Sequence, residues 1–296
     1  MTNHPAWPAI PYEAWKDTLA TLHLWTQIVG KVRLTQAPWT NHAWHVPLYT
    51  TARGLTTSPR PHHSRIFEME FDFTSHVLRI TTAQGEGRQI PLVPMTVAAF
   101  YEAVMASLRD LDLPVAIHTM PNEIPDAIPF DEDTTHASYD EAAVHDFWCA
   151  TLQADRVFKA FRALFTGKCS PVHFFWGSFD LAVTRFSGRE APRHPAGVPN
   201  MPDWVAREAY SHEVSSAGFW PGGPMHEEAV FYSYAYPNPD GFAQASVGPS
   251  EATFLDAMGE FILPYDAVCT AADPDAALLE FLQSTYDLSL IHISEP

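Results

Sequence analysis

His173, Asp180, Arg185 and Arg189 fall in one run, Gly167 to Arg189, that also holds Val172, Phe174, Phe175, Trp176, Phe179, Leu181 and Val183. Side chains of these types do acid–base, metal-ligating or anion-holding work when they converge on a recess. A surface loop has no use for that much aromatic area, and an ordinary core strand has no use for that many ionisable groups. A strand with one face in the core and the other lining a pocket uses both.

Three chemistries are open to these residues. A divalent metal needs three or four converging ligands, and His173, Asp180, His212 and Glu213, with His226 nearby in sequence, are of the right types. Strand alternation sends His212 and Glu213 to opposite faces, so at most one of them serves a given site. The competing reading has His173 hydrogen-bonded inside an aromatic core and Glu213 facing solvent. For anion binding, Arg53, Arg185 and Arg189 carry the planar fork that grips a carboxylate or phosphate. Internal salt bridges are the alternative for each of them. Trp44, Trp176, Phe219 and Trp220 supply apolar walls, and Phe219 to Gly223 reads as a turn able to close over the pocket. For acid–base work the candidates are His173, Asp180 and His212. Asp180 is either paired with arginine or raised in pKa by its apolar neighbours. Thr184 and Ser187 lack any motif, and Cys169, four residues before His173, reads as a buried thiol. No Gly-x-Gly-x-x-Gly, Walker loop, Gly-x-Ser-x-Gly or His-Glu-x-x-His is present.

The elements that must position these residues follow from periodicity. Trp15, Leu19, Leu22, Trp25 and Val29 are helically spaced, and Gly30-Lys31 reads as the stop. Residues 42–54 read as a strand despite Pro47. Residues 66–73 alternate strictly, with Phe67, Met69, Phe71 and Phe73 on one face, and 77–82 pairs back with them. Thr96 caps a helix carrying Val97, Phe100, Val104 and Leu108, which Leu113-Pro114 ends; 115–120 follows as a short strand. Residues 121–140 are acidic and proline-rich and read as a connection. A second series then repeats the order: a helix from Asp140 or Glu141, Gly167-Lys168, and the aromatic strand. After a loop at 190–203 come strands at 209–216 and 229–236, then a helix from Pro249-Ser250 closed by Leu263-Pro264. Tyr232, Tyr234 and Tyr236 alternate in phase. A last helix, 274–286, has no counterpart. The recurrence predicts an internal duplication.

Composition excludes several classes. Of 296 residues, 46% are hydrophobic and 18% charged, which suits a globular chain. With 17 Lys and Arg against 35 Asp and Glu, the net charge of −18 predicts neither nucleic acid nor membrane surface as a partner. Cys149, Cys169 and Cys269 are widely spaced and odd in number, which predicts no disulfide framework. No basic-then-apolar leader and no run of spanning length are visible, so a cytoplasmic setting is expected.

The segments Gly167-Lys168, Ser170-Pro171-Val172-His173, Thr184-Arg185, Ala209-Tyr-Ser-His212-Glu213 and Gly218-Phe-Trp-Pro-Gly222 resemble those of an uncharacterised bacterial family, domain of unknown function 5996. So do Gly30-Lys31, Asn41-His42, Arg53-Gly54 and Leu263-Pro264-Tyr265. The resemblance runs to about Tyr286. It departs where Ala43 replaces a tryptophan and in the tail, since Leu288 to Pro296 reads as adapter-derived sequence. It implies a bacterial, stand-alone unit and brings no activity.

The expected fold is therefore α+β, with two similar halves, each an antiparallel sheet with flanking helices, and a cleft between them. Residues 1–120 form the first half, 121–140 the connection, 141–287 the second half, and 288–296 a non-native tail. The expected function is an enzyme acting on a small anionic metabolite held by arginines, with no cofactor named beyond a divalent metal. A non-catalytic binder or a partner-binding scaffold are the alternatives, and the oligomeric state is open.

Overall fold

The computed structural model describes residues 7–289. Residues 1–6 and the tail from 290, read above as adapter-derived, lie outside the described residues. Helix α1 (Tyr12–Thr35) continues through Gly30, where the sequence predicts a stop. Gly30 is buried against the indole of Trp176, and a side chain there would overlap that ring. Its role is close approach rather than helix termination.

The first sheet is an antiparallel meander of β1 (Tyr49–Thr50), β2 (Gly54–Thr56), β4 (Arg65–Asp72), β5 (Val77–Thr82) and β6 (Gly87–Pro91) in that order, with β3 (Arg60–His62) also paired to β4. Strand β4 buries Phe67, Met69 and Phe71 and exposes Ile66, as its alternation requires. Helix α2 (Val97–Asp110) follows, with the Thr96 hydroxyl accepting from the Ala99 N–H at 3.1 Å. The second half opens with α3 (Glu141–Ala163), capped by Asp140. Its sheet runs β11 (Thr253–Leu255), β12 (Glu260–Pro264), β10 (Val230–Tyr236), β9 (His212–Trp220), β8 (Asp180–Glu190), β7 (His173–Phe175), again all antiparallel. Short helices α4 (Asp203–Ala209) and α5 (Tyr265–Cys269) precede the last helix, α6 (Pro274–Leu288).

The fold is α+β, and in each half one helix precedes an antiparallel sheet and another follows it; in the second sheet the hairpin β11–β12 folds back so that β12 pairs with β10 and β11 takes the edge. The halves meet edge to edge: Leu48, just before β1, exchanges backbone hydrogen bonds of 2.9 and 3.0 Å with Phe174 of β7. Helix α1 packs beside α2 and α3, and α3 beside α6. One side of the second sheet therefore faces α3 and α6 through Phe174, Leu181, Val183, Phe219, Phe231 and Leu263. We call the other side its open face. Among the described residues no helix is long and apolar enough to cross a membrane.

Further expectations are corrected. Residues 42–48 are not a strand: His42 and Ala43 have φ of 59° and 57°, which turn the chain before β1. Residues 115–120 form no strand. The helix expected from Pro249-Ser250 is the hairpin β11–β12, because the left-handed Gly259 (φ 73°) reverses the chain and Phe254 pairs across to Phe261. Leu263-Pro264 thus ends a strand, and this part of the repeat fails. Finally, Phe219 and Trp220 are the end of β9, paired with Phe231 and Val230, so they are held in the sheet and cannot form a lid.

Candidate functional site

The arginines expected to hold an anion are all engaged inside the protein. Arg53 donates from Nε to Asp72 at 2.7 Å and from Nη2 to the Ser75 hydroxyl at 2.8 Å. Arg189 pairs with Glu213, which also accepts from Ser187 at 2.9 Å. Arg185 points to the helix side, with its guanidinium 3.5 Å from the Phe161 ring centroid and 4.2 Å from that of Tyr286. Its Nη2 donates to the Phe161 carbonyl at 2.5 Å. Arg185→Ala is expected to cost about 3 kcal/mol through lost packing, as for other large-to-small core changes. Equilibrium urea unfolding checks that figure.

The expected tryptophan walls scatter likewise. Trp176 donates from Nε1 to the Val46 carbonyl at 2.8 Å and packs on Gly30. Trp44 lies edge-on to His173 and Phe186. Trp220 packs on Gly223. The metal quartet does not converge either. Asp180 faces Trp220 at one end of β9 and His212 begins the other end, eight residues or about 26 Å away. Glu213 is taken by Arg189, and His226 sits in the turn that bridges back to Gly223. Among the described residues no group of three His, Cys, Asp or Glu is placed to hold a metal ion. His173 is enclosed by the edges of Trp44, Tyr49 and Phe175, and neither ring nitrogen has a hydrogen-bond partner. Burial, then Arg33 and Arg162, push its pKa down to about 3, so it is a neutral imidazole at pH 7.

Asp180 is the predicted residue that the fold does place at a chemically unusual point. The register sets Ala182 and Thr184 of β8 beside Gly218 and Ser216 of β9, and these beside Tyr232 and Tyr234 of β10. All six face the open side, so the centre is floored by small residues and walled by phenols. The Thr184 and Ser216 hydroxyls are 2.9 Å apart. Tyr232 leans across Gly218, where a methyl group would overlap its ring, and donates to Asp180. Ser178 donates to the other oxygen of Asp180. Tyr210, at the end of α4, shares a 2.9 Å hydrogen bond with Tyr234. His194 stacks on Tyr210 at 4.4 Å, and Tyr236 meets both edge-on.

Two further carboxyls reach this place from elements that the sequence reading passed over. Glu260 comes from β12, one strand beyond the tyrosines. Glu123 comes from the segment read as a connection, with φ of 64°, and its carboxyl lies against Gly177. The Glu123 N–H donates to the Pro199 carbonyl at 2.9 Å. Asn122 and Asn200 each donate to a carbonyl of the other segment, at 2.6 and 3.0 Å. Buried Gln27 anchors Asn122 from α1 at 2.8 and 2.9 Å. The covering segments are thus clasped together and tied to the body.

Electrostatics set these groups apart. Burial, then the proximity of Asp180, pushes both Glu123 and Glu260 up to about 7. Asp180 is raised by burial despite the opposing hydrogen bonds from Ser178 and Tyr232. Tyr210 and Tyr232 are raised well above the usual phenol value, burial first. Yet Glu123, Tyr210, Tyr232 and Tyr234 all keep part of their surface in water. Groups that are desolvated and still touched by solvent line a recess rather than a convex surface. Among the described residues none of the three carboxyls forms a salt bridge. A surface groove of about 430 Å³ lies elsewhere, between Glu13–Thr18 and Ala137–Asp140. It contains the exposed Glu13–Lys16 ion pair and none of these three carboxyls.

Sequence reasoning missed Glu123, Glu260 and Tyr210. The in-phase tyrosines of 232–236 were the signal for one wall, since alternate phenols on one strand must share a face. A family model described as a family of unknown function (DUF5996) matches residues 7–291, and the chain belongs to that family. No curated protein and no solved structure matches.

Proposed function

From a family membership that brings no activity, we propose that the open face of the second sheet binds a small organic cation and that Asp180 exchanges a proton with it. The observation that supports this reading is the unpaired carboxyl trio of Asp180, Glu123 and Glu260 beside four tyrosines. Ring faces and carboxylates together are how proteins hold ammonium groups. A small anion loses its support, because Arg53, Arg185 and Arg189 are spent on internal partners. The hydrogen-bonded chain Ser178–Asp180–Tyr232 favours the enzymatic form, in which Asp180 is the proton donor or acceptor. The non-catalytic form uses the same groups only to hold charge. A bacterial, cytoplasmic setting belongs to the same reading, and three cysteines that form no disulfide support its cytoplasmic part.

Thermal shift against primary, methylated and quaternary amines with their neutral isosteres tests it. An amine at 100 times its dissociation constant should add about 2.7 kcal/mol, and Asp180→Asn should remove that gain. A quaternary amine, which keeps its charge at every pH, should shift the melting point more at pH 8 than at pH 6. The sign follows from Glu123 and Glu260, which titrate near 7 and attract a cation only when ionised. Equal shifts from the neutral isosteres, or none from any amine, would overturn the reading.

A further inference from the structure

The chain has four lysines, Lys16, Lys31, Lys159 and Lys168. Lys16 is held by Glu13 at 2.8 Å and Lys159 by Asp155 at 2.6 Å. Lys31 is buried and donates to the His118 and Met120 carbonyls. Lys168 is different: it is exposed, makes no salt bridge among the described residues, and sits 2.6 Å from Nε2 of His42.

The partner's protonation is fixed by its other nitrogen. His42 Nδ1 lies 3.1 Å from the Ala209 carbonyl, which only accepts, so Nδ1 carries the hydrogen and Nε2 presents a lone pair to Lys168. The imidazole is held there by force of backbone. His42 and the following Ala43 both lie in the left-handed region, and the His42 N–H is gripped by both oxygens of Glu208 at 2.9 and 3.0 Å. Two consecutive non-glycine residues in that region persist only where surroundings over-determine them, and such strain collects at working sites. The ammonium nitrogen lies 4.8 Å from the Phe186 ring centroid and 5.4 Å from that of Trp44. Burial against these rings lowers the amine's pKa, opposed by Glu208, and lowers that of His42 as well.

We propose that Lys168 is a nucleophilic amine that condenses with a small aldehyde or ketone approaching it from solvent beside the Trp44 and Phe186 rings, with His42 Nε2 taking the amine's proton. In the step, the Lys168 nitrogen forms a bond to the carbonyl carbon and loses two protons. The carbon–oxygen bond breaks and the oxygen leaves as water with those protons. The product is an imine, and no oxidant or reductant is consumed. The site is separate from Asp180, which stands six positions along β8 from Phe186, about 20 Å.

The test is reductive trapping of the full chain at pH 7 with benzaldehyde and cyanoborohydride, read by peptide mass mapping. Lys168 should be labelled at least tenfold faster than Lys16 and Lys159, which serve as controls within the same molecule. His42→Phe should bring that ratio down to about one while Lys16 and Lys159 label as before. Equal labelling of Lys168, Lys16 and Lys159 in the wild-type chain overturns the proposal, whatever the variant does. So does an unchanged ratio in a His42→Phe protein whose near-UV spectrum is native.

Discussion

Raising the pH from about 5 to 8 is expected to destabilise this protein, and Glu260→Gln is expected to flatten that loss. Glu260 is almost fully buried, and burial with Asp180 nearby pushes it from the usual 4.5 up to about 7. Between those two values the native state holds a proton that the unfolded chain has released. Stability is therefore complete below the unfolded value and drains away as pH rises through the folded one. At about 1.4 kcal/mol per pKa unit, the loss carried by this one group is about 3 kcal/mol. Glu123 titrates in the same window, but it is coupled to Asp180 as Glu260 is, so the three do not add.

Glutamine keeps the size and removes the titration. Melting curves at pH 5.5 and pH 8 should differ for the wild-type chain by roughly 6 °C and for Glu260→Gln by much less. Parallel pH profiles for the two proteins would mean that Glu260 ionises as an ordinary surface carboxylate, and the recess would lose one of its three acids. The same profile separates stability from function. A cation bound in the recess favours the ionised carboxyls, so a saturating amine should itself flatten the alkaline loss.

Much of the fold was legible in residue periodicity, and the site much less so. The alternation of Phe67, Met69 and Phe71 and the spacing along α1 and α3 concern which face meets the core, and a single chain segment decides that. The hairpin at 253–264 was misread because Phe254 and Phe261 stand seven apart, a spacing that suits a helix face as well as a cross-strand pair. Asp180 was legible as a carboxylate in apolar company. Its true partners were not, because Glu123 lies in an irregular segment whose position is set by Gln27, Pro199 and Asn200, none of them near it in sequence. The arginines misled for the same reason. Arg53 and Arg189 find acids 19 and 24 residues away through strand pairing, and Arg185 is turned to the helix side by alternation within β8.

Asp72→Ala is expected to cost about 3 kcal/mol, the scale of breaking a buried ion pair by removing one partner. Its side chain has no solvent exposure, being covered by Arg53 and Arg79, which are themselves partly in water and temper the figure. One oxygen accepts from Arg53 and Arg79 at 2.7 and 3.0 Å; the other accepts from the Thr74 hydroxyl and from the Thr74 and Ser75 N–H groups at 2.7–3.0 Å. Burial alone would raise its pKa, but these donors outweigh burial and hold it well below the usual carboxylate range. The sign is opposite to that of Glu260: this stability is present above the unfolded value near 3.8 and is lost as pH falls through the folded one. Asp72 and Glu260 thus set the acid and alkaline limbs of one stability profile, from different sheets and with no shared partner. Asp72→Asn should shrink the acid limb and leave the alkaline one intact, and Glu260→Gln the reverse, with near-additive effects in the double variant. Equilibrium urea unfolding across pH 2 to 8 reads both limbs, and a single substitution that moves both would show that the two halves titrate as one coupled network.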